Sequence, residues 1–124
     1  METIGIIDDD EDCATLFSYL LEDKWNVIIF QDWQKALKEF EASPPNLILL
    51  DISLPDISGE KILELIHNND LLKGIGVIAV TGHALPNDRE KFLKQGFDEY
   101  VGKPILDRLS FIQLVEKVLA KKRG

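Results

Sequence analysis

Five short apolar runs that alternate with segments of helical rhythm predict an α/β protein, an open sheet of five parallel strands with helices on both faces. Two further features agree. Glycines and prolines fall between the segments, and the polar residues best suited to chemistry follow the ends of the runs. With 124 residues, 45% hydrophobic and 29% charged, the chain has room for one compact domain and not for two independent cores.

The first run, Ile4–Ile7, is almost continuously apolar and rich in branched side chains, as suits a strand covered on both faces. Cys13, Leu16, Phe17, Leu20 and Leu21 then recur at helical spacing and predict a one-sided first helix. Val27–Phe30 predicts the second strand, and Trp33, Ala36, Leu37 and Phe40 the second helix. Pro44 and Pro45 precede the third strand, Leu47–Leu50, after which Ile62, Leu63 and Ile66 predict a third crossover helix. Gly74 and Gly76 precede the fourth strand, Val77–Val80. Phe92 and Leu93 fall in a fourth, more polar helix. Gly96 precedes the shortest strand, Tyr100–Val101, and Ile112, Val115, Val118 and Leu119 predict the fifth helix. A βα unit repeated five times with short, right-handed crossovers places helices on both faces of the sheet.

Charge narrows the function classes. Lys and Arg total 14 against 22 Asp and Glu, a formal charge of -8, which argues against general affinity for nucleic acid or an anionic membrane. No apolar run approaches the ~20 residues that span a bilayer, and no basic stretch followed by a long apolar one opens the chain. A cytoplasmic protein is expected. The single cysteine, Cys13, cannot form an internal disulfide; it is expected to pack inward from the first helix. Trp25 and Trp33 are expected to be packing residues, His67 a surface or capping group, and Lys121, Lys122 and Arg123 a solvated helix end.

The polar residues at the run ends carry the chemistry. Asp8, Asp9 and Asp10 follow the first strand, Asp51 the third, Thr81 the fourth and Lys103 the fifth; Gln31 and Asp32 follow the second and are less distinctive. In an open parallel sheet all carboxyl ends share one edge, where ligands bind, so residues far apart in sequence converge there. Two carboxylates ~5 Å apart repel by roughly 3 kcal/mol at an effective dielectric near 20. Lys103 offsets one charge of Asp8, Asp9 and Asp51, leaving two. A divalent cation would neutralise the remainder, and clustered carboxylate oxygens without a Cys and His set favour Mg²⁺ over zinc. A carboxylate beside such an ion, a lysine and a hydroxyl can accept a phosphoryl group: Asp51 as nucleophile, Lys103 against the equatorial oxygens, Thr81 as hydrogen-bond donor. The sequence has no nucleophile elbow, no Walker-type glycine loop and no dinucleotide fingerprint after the first strand.

IGIIDDDED at residues 4 to 12, LILLDISLPDISG at 47 to 59, VIAVTGHA at 77 to 84 and YVGKP at 100 to 104 together resemble the receiver domains of two-component response regulators, including the single-domain chemotaxis type. The resemblance covers essentially the whole chain and implies one receiver domain over residues 1–124, with the doubly wound flavodoxin-like (βα)5 fold and strand order 2-1-3-4-5. It implies that Asp51 is the phosphoacceptor, that Asp9 binds Mg²⁺ directly and Asp8 mainly through water, and that the main-chain carbonyl of Ser53 completes the protein ligands. Thr81 and Lys103 would contact the phosphoryl group. Thr81 and Tyr100 would form the switch, the hydroxyl moving toward the phosphoryl group and the aromatic ring turning inward behind it. The output would be a changed surface on the fourth helix, fifth strand and fifth helix. A cis peptide before Pro104 is also implied. Gly82 leaves movement of Thr81 sterically easy, Asp10 or Asp12 can start the first helix, and Ser53 and His83 stand where this family tunes phosphoryl loss.

The partners implied are a histidine kinase or histidine phosphotransfer protein as donor and an effector protein or output domain as target, with phosphorylation-dependent dimerisation left open. Neither direct nucleic-acid nor membrane binding is expected. Two other classes stay in view: a phosphatase working through an aspartyl phosphate, against which Ser53 stands where a second acid would be, and a receiver-like interaction module that is never phosphorylated.

Overall fold

In a computed structural model, which describes residues 1–123, the chain forms β1 (Thr3–Ile7), α1 (Glu11–Leu21), β2 (Asn26–Phe30), α2 (Trp33–Ala42), β3 (Leu47–Asp51), α3 (Gly59–His67), β4 (Gly76–Thr81), α4 (Asp88–Gln95), β5 (Glu99–Gly102) and α5 (Arg108–Arg123). Gly124 lies outside the described residues. The five strands form one parallel sheet in the order β2-β1-β3-β4-β5, as expected.

Strand alternation sorts the core into two layers. Ile4 and Ile6 of β1, Leu47 and Leu49 of β3, and Ile78 and Val80 of β4 pack with Phe17 and Leu21 of α1 and with Phe111, Val115 and Leu119 of α5. Ile7, Ile48, Leu50, Val77 and Ala79 face the other way, against Phe40 of α2, Ile62 and Ile66 of α3, and Phe92 of α4. Each fully buried side chain of this size stabilises by about 1.5–3 kcal/mol, against about 0–1 for an exposed ion pair. The two apolar layers therefore fix the register, and a one-residue slip would turn every strand inside out.

Gly5 shows how tightly α2 is seated on β1. A Cβ there would lie 2.5 Å from Cζ of Phe40. The absence of a side chain lets the ring rest on the strand, and this fixes α2 against the element that leads to Asp8 and Asp9.

Four expectations need correction. β2 is not covered on both faces: it is an edge strand, and Ile28 and Ile29 are 41% and 38% exposed. In α1 the inward line is Ala14, Phe17 and Leu21, so Leu16 is 41% exposed, because it sits about 100° around the helix from Phe17. Cys13 is only half-buried, and its thiol donates to Asp10 Oδ2 at 3.3 Å. The basic end of α5 is not simply solvated: Lys121 and Lys122 pair with Asp98 at 3.2 and 3.1 Å, and Arg123 pairs with Glu2. Trp25 is buried in the first layer and Trp33 packs partly on the second, as expected. His67 lies exposed in the last turn of α3, its ring beside Gly96.

Candidate functional site

Each strand hands its polar end residue to the same edge. The β1 ladder continues one step, Asp8 N–H donating to Phe30 O at 3.0 Å, and the chain then turns as Asp10 N–H donates to Asp8 Oδ1 at 2.9 Å. Asp10 caps α1, accepting from the N–H groups of Asp12 and Cys13. That assigns Asp10 to the helix start. Asp32 caps α2 in the same way, through Gln34 and Lys35.

Asp51 closes β3, 3% exposed, and Oδ1 accepts from Ser53 N–H at 2.8 Å. Thr81 closes β4, also buried, and its Oγ1 accepts from His83 N–H at 3.1 Å. That contact leaves the hydroxyl hydrogen free to donate elsewhere. On the neighbouring strand Lys103 N–H donates to Thr81 O at 2.8 Å, one residue past the Thr81–Gly102 pair. The Lys103–Pro104 peptide is cis.

The side chains converge. Lys103 Nζ lies 3.1 Å from Asp8 Oδ2 and 3.4 Å from Asp51 Oδ2, the latter also a hydrogen bond. Asp8, Asp9 and Asp51 each offer an oxygen within 4.8 Å of the others, so the three form a group able to hold a metal ion. Asp8 and Asp51 are buried and Asp9 is exposed at the mouth. Asp8 Oδ2 is fully buried and has no hydrogen-bond partner among the described residues, since Lys103 approaches it as a charge without donating along a hydrogen-bond direction.

Burial pushes the Asp8 carboxyl up to about 6; the Asp10 N–H and the Lys103 ammonium pull it down, and the Asp51 charge raises it further. Burial alone would depress the Lys103 ammonium. Its contact with Asp8 and the charges of Asp51 and Asp8 outweigh that and hold its pKa above the ordinary value. One lysine is thus shared between two buried acids, and the pocket retains unspent negative charge.

Ser53 is exposed and follows Asp51 in a turn. A Cβ at Gly82, next to Thr81, would meet nothing within 4 Å. Tyr100 is half-buried, its ring 5.6 Å from that of Phe92 on α4. One polar cluster escaped the sequence reading. Glu99, next to Tyr100, is 3% exposed; it takes a two-pronged contact from Arg89 of α4 at 3.1 and 2.8 Å and a third from Lys117 of α5 at 3.0 Å. Only the neighbouring Tyr100 marked that stretch in the sequence.

A parallel sheet in this strand order, with helices on both faces and buried carboxylates at its carboxyl edge, belongs to the flavodoxin-like class of doubly wound folds. The family described as response regulator receiver domain matches residues 4–116, and the chain belongs to it. The chain is similar to the polar-differentiation response regulator DivK of Brucella anthropi, 34% identical over 105 residues that cover 84% of this chain and 85% of that one. It is also 36% identical over 104 residues to the signal transduction histidine-protein kinase BarA of Escherichia coli; the match covers 83% of this chain and only 11% of that kinase. A CheY-like response regulator receiver domain protein from Methanospirillum hungatei superposes with a TM-score of 0.84 at 30% identity, over 99% of this chain and 97% of the other. The chain is thus a receiver domain of two-component signalling. No helix among the described residues is long and apolar enough to cross a membrane.

Proposed function

We propose that Asp51 accepts a phosphoryl group from a phosphohistidine of a histidine kinase or histidine phosphotransfer protein, in the cytoplasm, and that the acyl phosphate so formed changes affinity for an effector protein or output domain. One observation carries this reading: Lys103 stands between Asp8 and Asp51 at 3.1 and 3.4 Å, in a pocket whose remaining charge calls for a second cation.

The residues present fit Mg²⁺. All the donors are oxygen, three of them gather within 4.8 Å, and Asp8 Oδ2 is buried without a hydrogen-bond partner among the described residues. Asp8, Asp9, Asp51 and the main-chain carbonyl of Ser53 would hold it. When bound, the ion neutralises phosphoryl oxygens and offsets the negative charge of the carboxylates.

The chain's own groups do the rest. An Asp51 oxygen forms the new bond to phosphorus as the P–N bond to the donor imidazole breaks; the imidazole leaves with that electron pair and regains a proton. Lys103 gives up its contact with Asp51 and turns its ammonium to a phosphoryl oxygen. The Thr81 hydroxyl hydrogen donates to another. Movement of Thr81 at the end of β4 frees space toward the adjacent strand, and Tyr100 changes its packing on Phe92, so the α4-β5-α5 surface is altered.

The test is intact-mass analysis after incubation with acetyl phosphate. One added phosphoryl group, dependent on Mg²⁺ and absent in Asp51→Asn, is expected. Catalytic turnover of phosphate esters would instead select a phosphatase, and no modification at all would select an unphosphorylated interaction module.

A further inference from the structure

Two segments build the acidic group, the end of β1 with Asp8 and Asp9 and the end of β3 with Asp51, which runs into the β3–α3 loop, residues 52–58. The second helix touches β1 and this loop. Its far end is seated on β1 by Phe40 against Gly5. Its first residue, Trp33, reaches the loop: the indole Nε1–H donates to Asp56 Oδ2 at 3.1 Å. Asp56 lies three residues beyond Ser53, across the stiff Pro55.

The loop's other polar ties are local. Ile52 N–H donates to Val80 O at 3.0 Å, Ser53 N–H to Asp51 Oδ1 at 2.8 Å, and Ser58 caps α3. Among the described residues, the Trp33–Asp56 bond is the polar tie that joins this loop to an element outside β3, β4 and α3. The indole also packs partly on the second core layer, as do Ile52 and Ile57 from the loop itself. Its donor is therefore held by a packed ring, whereas a free surface side chain would need ordering first.

We propose that Trp33 is a positioning residue for the cation site: through Asp56 it holds the β3–α3 loop, and with it the backbone at Ser53, at a fixed distance from Asp8 and Asp9. This inference rests on the Mg²⁺ site proposed above. Trp33 touches no reacting atom, and its effect is on affinity for the ion.

The experiment uses the full chain labelled with nitrogen-15 and titrated with MgCl₂ alone, without phosphodonor, followed by amide and indole resonances. Three variants are compared with the wild type. Asp56→Ala removes the acceptor, Trp33→Phe keeps an aromatic ring without the donor, and Asp56→Asn keeps an acceptor. Asp56→Ala and Trp33→Phe should each raise the half-saturating Mg²⁺ concentration about 2- to 10-fold, as loss of one hydrogen bond predicts, and the double variant should be no weaker than the weaker single. Asp56→Asn should bind nearly as the wild type does. In the wild type the Trp33 indole resonance should move with Mg²⁺, while that of Trp25, buried in the opposite layer, should not. Unchanged affinity in Asp56→Ala and Trp33→Phe, with a normal wild-type response, overturns this inference alone; so does failure of Asp56→Asn to rescue. A wild type without any Mg²⁺-dependent shift overturns the cation site as well.

Discussion

Asp8→Asn should stabilise the metal-free protein at neutral pH, although it removes a carboxylate from the centre of the proposed site. Burial raises the Asp8 carboxyl from 3.8 to about 6. Between those values the folded chain holds a proton that the unfolded chain has released, so stability falls as pH rises through this window and the penalty is complete above it. At about 1.4 kcal/mol for each pH unit, the gap amounts to about 3 kcal/mol. Asparagine imitates the protonated acid. It keeps an acceptor for Asp10 N–H and carries no charge to desolvate; its NH₂ takes the place of Oδ2 beside the Lys103 ammonium, which keeps Asp51 as its partner. Urea unfolding with EDTA, from about pH 4 to about pH 8, should give nearly equal stabilities at the acid end and a variant more stable by about 3 kcal/mol at the other. Mg²⁺ should then favour the wild type, adding about 1.4 kcal/mol at ten times its dissociation constant, and should add less to the variant. Parallel pH curves, or a variant less stable than the wild type at neutral pH without metal, would refute the reasoning.

Other perturbations have equally direct readings. Burial by itself would raise the Glu99 carboxyl, but Arg89 and Lys117 hold it below its usual range. Its stabilising contribution is therefore present above the ordinary carboxylate value of 4.5 and is lost as pH falls below it, so Glu99→Gln should flatten that part of the acid unfolding curve followed by circular dichroism. Arg89→Ala and Lys117→Ala should each be tolerated, because the other cation remains. The double variant should fall below the sum of the two by about 3 kcal/mol in urea, the scale of an uncompensated buried carboxylate, and simple additivity would count against the pairing. Gly5→Ala should destabilise by about 1–3 kcal/mol through overlap with Phe40, and Phe40→Leu in the same chain should recover part of the loss.

The sheet was legible because parallel strands buried on both faces leave unbroken branched runs, and the site because residues of unlike chemistry sat at the ends of those runs. Asp8, Asp51, Thr81 and Lys103 could be brought together from topology alone. The exposure of Ile28 and Ile29 could not be read from the run itself, since Val27–Phe30 is as apolar as the central strands; the edge position came only with the strand order that the family resemblance implied. Ala14 hid the inward line of α1: its small side chain weighs little in any apolar pattern, whereas the exposed Leu16 weighs a great deal. Glu99 and Asp98 stood out in no sequence pattern, because their partners on α4 and α5 lie 10 to 24 residues away in the chain. The Trp33–Asp56 bond joins residues 23 apart and follows no periodicity at all.

The ion pair between Arg123 and Glu2 has a practical corollary. It brings the head of β1 and the tail of α5 side by side on the rim away from the acidic cleft, one strand length or about 17 Å from Asp8. A short glycine-serine bridge could therefore join these neighbours, and the backbone could be reopened at the exposed turn around Lys73 and Gly74. Such a circular permutant would keep every strand end that builds the cleft, and a dye attached at Glu2 or Arg123 would sit clear of the acidic cleft.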